Sequence, residues 1–159
     1  MKEKVKNPQF SITHKDESLL ELIGETDHKT LAVWAIDCAQ RVLPYFEKKY
    51  PEDDRPRKAI ETLRTWVNTG VFKMSVIRKA SLDSHTAARE VGENSSSRSA
   101  ARAAGQAVAT AHVPRHSYGA AIYAQQAVFR DATSKAETAA DKERDWQYQH
   151  LLELKENYK

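Results

Sequence analysis

The chain has 159 residues, a length that suits one domain with a packed core. Its 25 Lys and Arg against 22 Asp and Glu leave a net charge of +3, too weak to indicate nucleic-acid binding and too positive for a mimic of DNA. A single cysteine rules out an internal disulfide and suits a reducing compartment. No apolar run approaches the roughly 20 residues that cross a bilayer. We therefore expect a cytoplasmic, non-membrane protein with residues 1–14 as a mobile tail.

The apolar pattern after this tail predicts helices, and no segment alternates in the manner of a strand. A short helix over about 16–23 comes first, followed by a long one from about 27 to 50. Pro44 lies inside the long helix and predicts a kink or a break there. Further helices are predicted over about 55–69 and 74–91, because apolar residues recur there at three- and four-residue steps.

Alanine dominates the chain from residue 98 to residue 124. The helix predicted over about 97–112 is small or apolar on almost every side. Such a helix is typically central and closely packed, because short side chains let neighbouring backbones approach. Pro114 ends it, and a fifth long helix is predicted over about 117–130.

The last predicted helix is capped by Thr133 or Ser134 and carries Trp146 and Leu151 on one side. Short loops between all these helices favour antiparallel neighbours. The expected fold class is all-α, with residues 15–159 as a single domain. We expect six to seven helices, arranged as a multi-helix bundle or a short superhelical stack.

Several polar side chains stand in otherwise apolar helical patterns. Asp37 and Arg41 lie four residues apart, which favours an exposed ion pair, with a partly buried pair facing another helix as the alternative. Arg98, Arg102 and Gln106 form a row on the alanine-rich helix. That row could bind a carboxylate or phosphate, or it could bridge helices inside the fold, and bridging is the favoured interpretation.

The residues give little support to catalysis or metal binding. His112 and His116 flank Pro114, so they do not share one continuous helical face, and no recognised metal-ligand spacing includes them. Cys38 falls on an apolar helix face, which predicts a buried thiol with a raised pKa. Neither a nucleophile elbow nor a glycine-rich phosphate loop is present. We therefore expect no catalytic residue, no cofactor and no metal.

Four stretches, in this order along the chain, resemble a family of helical bacterial and archaeal proteins called putative immunity proteins. They are WAIDCAQRVLPYFE (34–47), RPRKAIETLRTW (55–66), AARAAGQAVATAHV (100–113) and ERDWQYQHL (143–151). The resemblance runs from about Leu31 to Leu151, and its motifs are specific as a set. One departure is Leu152, where the family pattern has a proline, and this concerns only the C-terminal geometry.

The resemblance implies a single α-helical domain and a protein named by analogy with antidotes to toxins. It brings no catalytic residues to this sequence. Within the matched stretches, a few polar positions are set among core residues, and we predict that they form one polar binding cluster between helices. These residues are Asp37, Arg57, Arg102, Gln106 and His112.

Two functions follow as hypotheses. The leading one is non-enzymatic binding of a protein partner, such as a toxin domain, through a helical surface that exposes apolar and charged groups. The alternative is a small-ligand or anion-binding protein, or an enzyme, that uses a buried Arg/Asp/His cluster in a concave pocket. Nucleic-acid binding ranks last, because it requires the basic residues to gather on one face. The oligomeric state stays open.

Overall fold

The computed structural model describes residues 9–11 and 13–157, and this part of the chain contains helices and no strand. A 3-10 turn at Thr13–Asp16 precedes the α-helices, seven of which have at least eight residues and pack as a single compact domain. The predicted all-α class is confirmed. The helices are α1 (Glu17–Gly24), α2 (His28–Val42), α3 (Pro44–Glu47), α4 (Arg55–Thr69), α5 (Met74–Arg89), α6 (Ser96–Ala109), α7 (His116–Asp131) and α8 (Ala136–Asn157).

Local signals in the sequence set several helix ends. The predicted break at Pro44 is present, since α2 ends at Val42 and the one-turn helix α3 starts at the proline. The Asp27 side chain caps α2 by accepting a hydrogen bond from the backbone N–H of Thr30 at 3.1 Å. Helix α4 has its predicted bounds and ends at Gly70, whose φ of +68° is easily reached only by glycine.

The start of α8 differs from its prediction, and the predicted N-terminal tail is only partly described. Helix α8 begins at Ala136, later than the predicted cap at Thr133 or Ser134, because Lys135 adopts a left-handed φ of +52°. Most of the predicted N-terminal tail, residues 1–8 and 12, lies outside the described residues. Where the tail is described, the ring of Phe10 meets the ring of Phe129 edge-on at a centroid distance of 5.7 Å.

Helix α6 lies at the centre of the fold. It packs against α2, α3, α4, α5 and α7, and ten of its 14 residues are buried. Its buried side chains are Ala, Ser, Val and the single glycine Gly105, so neighbouring helices approach its backbone closely. The prediction of a central, alanine-rich helix is confirmed.

A second cluster of buried side chains joins α1, α2, α7 and α8 around Trp34, which is fully buried. The indole N–H of Trp34 donates to the backbone carbonyl of Gln147 at 2.9 Å. The buried amide of Gln125 donates to Oε1 of Gln147, whose own Nε2 donates to the carbonyl of Ala121, both at 2.9 Å. These bonds supply partners to polar groups that would otherwise be costly to bury.

Two glycines make room for side chains at the contacts of α6 with α5 and α7. A Cβ atom added to Gly105 would lie 2.7 Å from Nε2 of His85, a residue of α5. A Cβ atom added to Gly119 of α7 would lie 2.6 Å from Oε1 of Gln106. Both distances are shorter than van der Waals contact allows, so each glycine is required by a particular side chain packed on it.

Gly105→Ala should therefore destabilise the protein. Alanine favours a helix by about 1 kcal/mol over glycine, but here its methyl group collides with the His85 ring. We expect a net loss of roughly 1–3 kcal/mol in the free energy of unfolding, as for other overpacked sites. Urea denaturation measures this.

Gly24→Ala is the matched control. No heavy atom lies within 4 Å of the position that its Cβ would take, and Gly24 is helical. This variant should be as stable as the wild type or more stable by about 0.5–1 kcal/mol. Equal effects of the two substitutions would contradict the packing account.

Candidate functional site

Polar side chains link α6 to α5 and α7. The guanidinium Nη1 of Arg102 lies 2.9 Å from Nδ1 of His85. Because a guanidinium only donates, that ring nitrogen accepts, and His85 is neutral with its proton on Nε2. Oε1 of Gln106 accepts a hydrogen bond from Nδ1 of His116 at 2.9 Å. We call His85, Arg102, Gln106 and His116 the α6 polar row.

The two histidines of this row are held in the neutral form. Burial, and then the positive charge of Arg102, lower the pKa of His85 to about 4. Burial also lowers the pKa of His116, and the nearby His112 contributes in the same direction. The polar row therefore carries its positive charge on Arg102 at neutral pH.

The helix-bridging interpretation of the row on α6 is confirmed. Arg98 donates from Nη2 to the backbone carbonyls of Arg89 and Val91 at the end of α5, at 3.1 Å and 2.8 Å. Arg102 bonds to a side chain of α5, and Gln106 bonds to a side chain of α7. The three polar side chains thus join helices that pack on α6.

An exposed apolar surface adjoins the polar row. Six large apolar side chains in the described part of the chain stand out as exposed, and five of them belong to α5, the loop before it or the loop after α6. Four fall between residues 71 and 82, and the fifth follows His112, whose ring stacks on that of Phe72 at a centroid distance of 6.1 Å. We call these five residues the α5 patch: Val71, Phe72, Val76, Leu82 and Val113.

The segment that carries the α5 patch is rich in positive charge. Residues 62–130 include nine Lys and Arg but only three Asp and Glu, a net charge of +6, so the rest of the chain carries −3. Neither 62–82 nor 94–130 contains an acidic residue. Arg78 and Lys79 lie on the outer side of α5, one turn before Leu82, and are exposed. This part of the chain therefore exposes apolar and basic side chains next to each other.

Asp37 and Arg41 contact α8 and not each other. Oδ2 of Asp37 lies 2.7 Å from Nε2 of His150, and Arg41 donates two hydrogen bonds to buried Glu143, at 2.9 Å and 2.8 Å. The Arg41 guanidinium also lies 3.8 Å from the ring centre of Trp146, which stacks on His150. The predicted Asp37–Arg41 pair is wrong, because closer partners on α8 satisfy both side chains.

The five polar residues singled out in the sequence occupy three places. Arg102, Gln106 and His112 lie on or beside the α6 polar row, Asp37 lies between α2 and α8, and exposed Arg57 is paired with Glu47 of α3. Among the described residues, no hydrogen bond or ion pair joins any two of the five. Their binding role stays a prediction.

Sequence reasoning missed two parts of this region. His85 was not connected with Arg102, because the two are 17 residues apart on different helices. Phe72 was not singled out, although the stretch without acidic residues around it is visible in the sequence. Cys38 is fully buried as predicted, and burial raises the pKa of its thiol.

Three grooves of the surface lie away from these residues. Two adjoining grooves of about 1140 Å³ and 310 Å³ flank Phe10 and Phe129, and another, of about 560 Å³, is lined by residues 49–55. None of the three is lined by the polar row or the α5 patch. In the part of the chain that is described, no three His, Cys, Asp or Glu residues are arranged to hold a metal. None of its helices combines the length and apolar character needed to span a membrane.

Comparison with known proteins identifies the family of this all-helical domain. The model of the family described as "Imm-5 like putative immunity protein" matches residues 21–154. The chain belongs to this family, and the predicted resemblance is confirmed. No curated protein and no solved structure matches the chain.

Acid should destabilise the fold in part through His85. Its pKa is about 4 in the folded protein against 6.5 normally, so between these pH values the unfolded chain binds a proton that the folded protein does not. The free energy of unfolding therefore falls as the pH drops from 6.5 to 4. We expect this group to contribute roughly 1–2 kcal/mol, allowing for its partial exposure. Urea denaturation at pH 7 and pH 4.5 measures the change.

His85→Gln provides the comparison, because glutamine can still accept a hydrogen bond from Arg102 but does not titrate. The difference in stability between the two pH values should shrink in this variant. His112→Gln makes the same change on an exposed ring and should keep the wild-type difference. A His85→Gln variant with unchanged pH dependence would refute the role given to His85.

Proposed function

We propose that this protein neutralises a toxin by binding it and covering the surface through which it acts, without catalysing a reaction. Membership of a family named for immunity supports a protein partner. The observation that carries the proposal is the α5 patch, because five of the six exposed large apolar side chains of the described residues belong to it and four of them fall within residues 71–82. Apolar groups exposed together are typical of protein interaction sites.

The composition of the patch suits the centre of an interface. A stable interface covers about 800 Å² of each partner, with an apolar centre and a polar rim. Phe72 is 44% exposed although its ring stacks on His112. An exposed aromatic ring held by a neighbour is well suited to anchor a partner, because aromatic residues supply much of the binding energy at interfaces.

The alternative, a small-ligand or anion site or an enzyme, has weaker support. Its Arg/Asp/His cluster needs Arg102 and Asp37 near each other, whereas Arg102 bonds to His85 and Asp37 bonds to His150 of α8.

The reducing cytoplasm is the setting that we expect, because a single cysteine offers no internal disulfide to protect.

Coexpression with the products of the neighbouring genes tests the proposal. One product should arrest growth of the host when it is expressed alone, and this chain should restore growth and copurify with it as a stoichiometric complex. If a neighbouring gene product arrests growth and coexpression of this chain does not restore it, the proposal is contradicted. If growth is restored and the mass of the toxin has changed after coexpression, the chain acts on the toxin as an enzyme instead.

A further inference from the structure

We infer that the partner meets the α5 patch with an acidic surface around an apolar centre. This inference rests on the proposed function and adds to it the face of the protein that binds and the chemical character of the partner.

Arginines divide into two sets according to their partners. All four arginines outside residues 62–130 make ion pairs with carboxylates, at Arg41, Arg55, Arg57 and Arg144. The seven arginines within that segment make no ion pair with a described carboxylate. They are Arg64, Arg78, Arg89, Arg98, Arg102, Arg115 and Arg130. The arginines outside residues 62–130 are thus compensated by carboxylates of the molecule, whereas those within the segment are not paired with a described carboxylate.

Some of this uncompensated charge lies directly beside the apolar patch. Lys73 follows Phe72 in the chain, and Arg78 lies on the outer side of α5; both are exposed. Neither is within ion-pair distance of a described carboxylate, whereas the neighbouring Lys79 pairs with Asp83 at 2.7 Å. The cations of Lys73 and Arg78 therefore remain available to an external acid.

A protein fits this surface better than a nucleic acid does. Interfaces with nucleic acids are more polar than protein interfaces, and their affinity comes largely from contacts with phosphates. Here Val71, Phe72, Val76 and Leu82 are each at least 44% exposed between the basic groups. An apolar centre with a charged rim is the arrangement found between proteins.

This arrangement assigns different kinetic roles to the two kinds of residue. Charges at the rim attract an oppositely charged partner from a distance, which raises the association rate and makes it sensitive to salt. Apolar groups at the centre act after contact and mainly slow dissociation. Charge substitutions and apolar substitutions on the same patch should therefore affect different rate constants.

The experiment uses the toxin identified by coexpression and measures both rate constants at 50 mM and 500 mM NaCl. The doubly substituted Lys73→Glu/Arg78→Glu should associate about tenfold more slowly at low salt and lose most of the salt dependence. Phe72→Ala should dissociate about tenfold faster with little change in association. All three side chains are exposed, so urea denaturation should show that the variants remain folded.

The matched control is Lys48→Glu/Lys142→Glu, which changes the net charge equally. Both lysines are exposed, Lys48 follows α3, and Lys142 lies on α8, which packs on α1, α2 and α7. Its rate constants should stay within about twofold of the wild type, apart from a small effect of net charge.

The outcomes separate this inference from the function on which it rests. A wild-type complex that the α5 substitutions leave unchanged would overturn the inference and leave toxin binding intact. The absence of any complex with the wild type would overturn both. A labelled DNA or RNA duplex is also tested as a competitor. If the duplex displaces the toxin from the α5 patch and binds more tightly than the toxin does, the inference of an acidic protein partner is overturned in favour of a nucleic acid.

Discussion

Close packing of backbones around α6 is the constraint on which the rest of the structure depends. Five helices contact α6, and its buried positions hold only small side chains and valine. Longer side chains there would separate the surrounding helices, because protein interiors leave few voids to absorb added volume. The same constraint explains the two glycines, since His85 and Gln106 fill space that a Cβ atom at Gly105 or Gly119 would occupy.

Tight packing around α6 also explains how charge is distributed over the molecule. Helices α2 and α8 join through long side chains, so Arg41 can reach Glu143 and Asp37 can reach His150. Helix α5 packs on α4 and α6 instead, and among its basic residues only Lys79 makes an ion pair with a described carboxylate, that of Asp83 on the same helix. The arginines of α2 and α8 are therefore ion-paired, whereas Arg78 and Arg89 of α5 are not paired with a described carboxylate. This asymmetry gives the α5 patch its proposed selectivity for an acidic partner.

The sequence predicted features that depend on local rules. Pro44 ends a helix because its ring does not fit the interior of one. The alanine-rich segment can be central because the side chains at its buried positions are small. Contacts between distant residues were not predictable in the same way. Asp37 and Arg41 suit an ion pair by spacing, yet each has a partner more than 100 residues away on α8. The exposure of Phe72 was likewise not predictable, because it depends on how α4, α5 and α6 pack around it.

Hydrogen exchange, followed by mass spectrometry with and without the toxin, tests the central claim most directly. The account predicts that amides of α6 exchange slowest in both samples, because only global unfolding exposes them. It also predicts that the toxin adds protection at residues 71–82 and 112–115. Added protection concentrated on α8 and α1, with none at 71–82, would contradict the account.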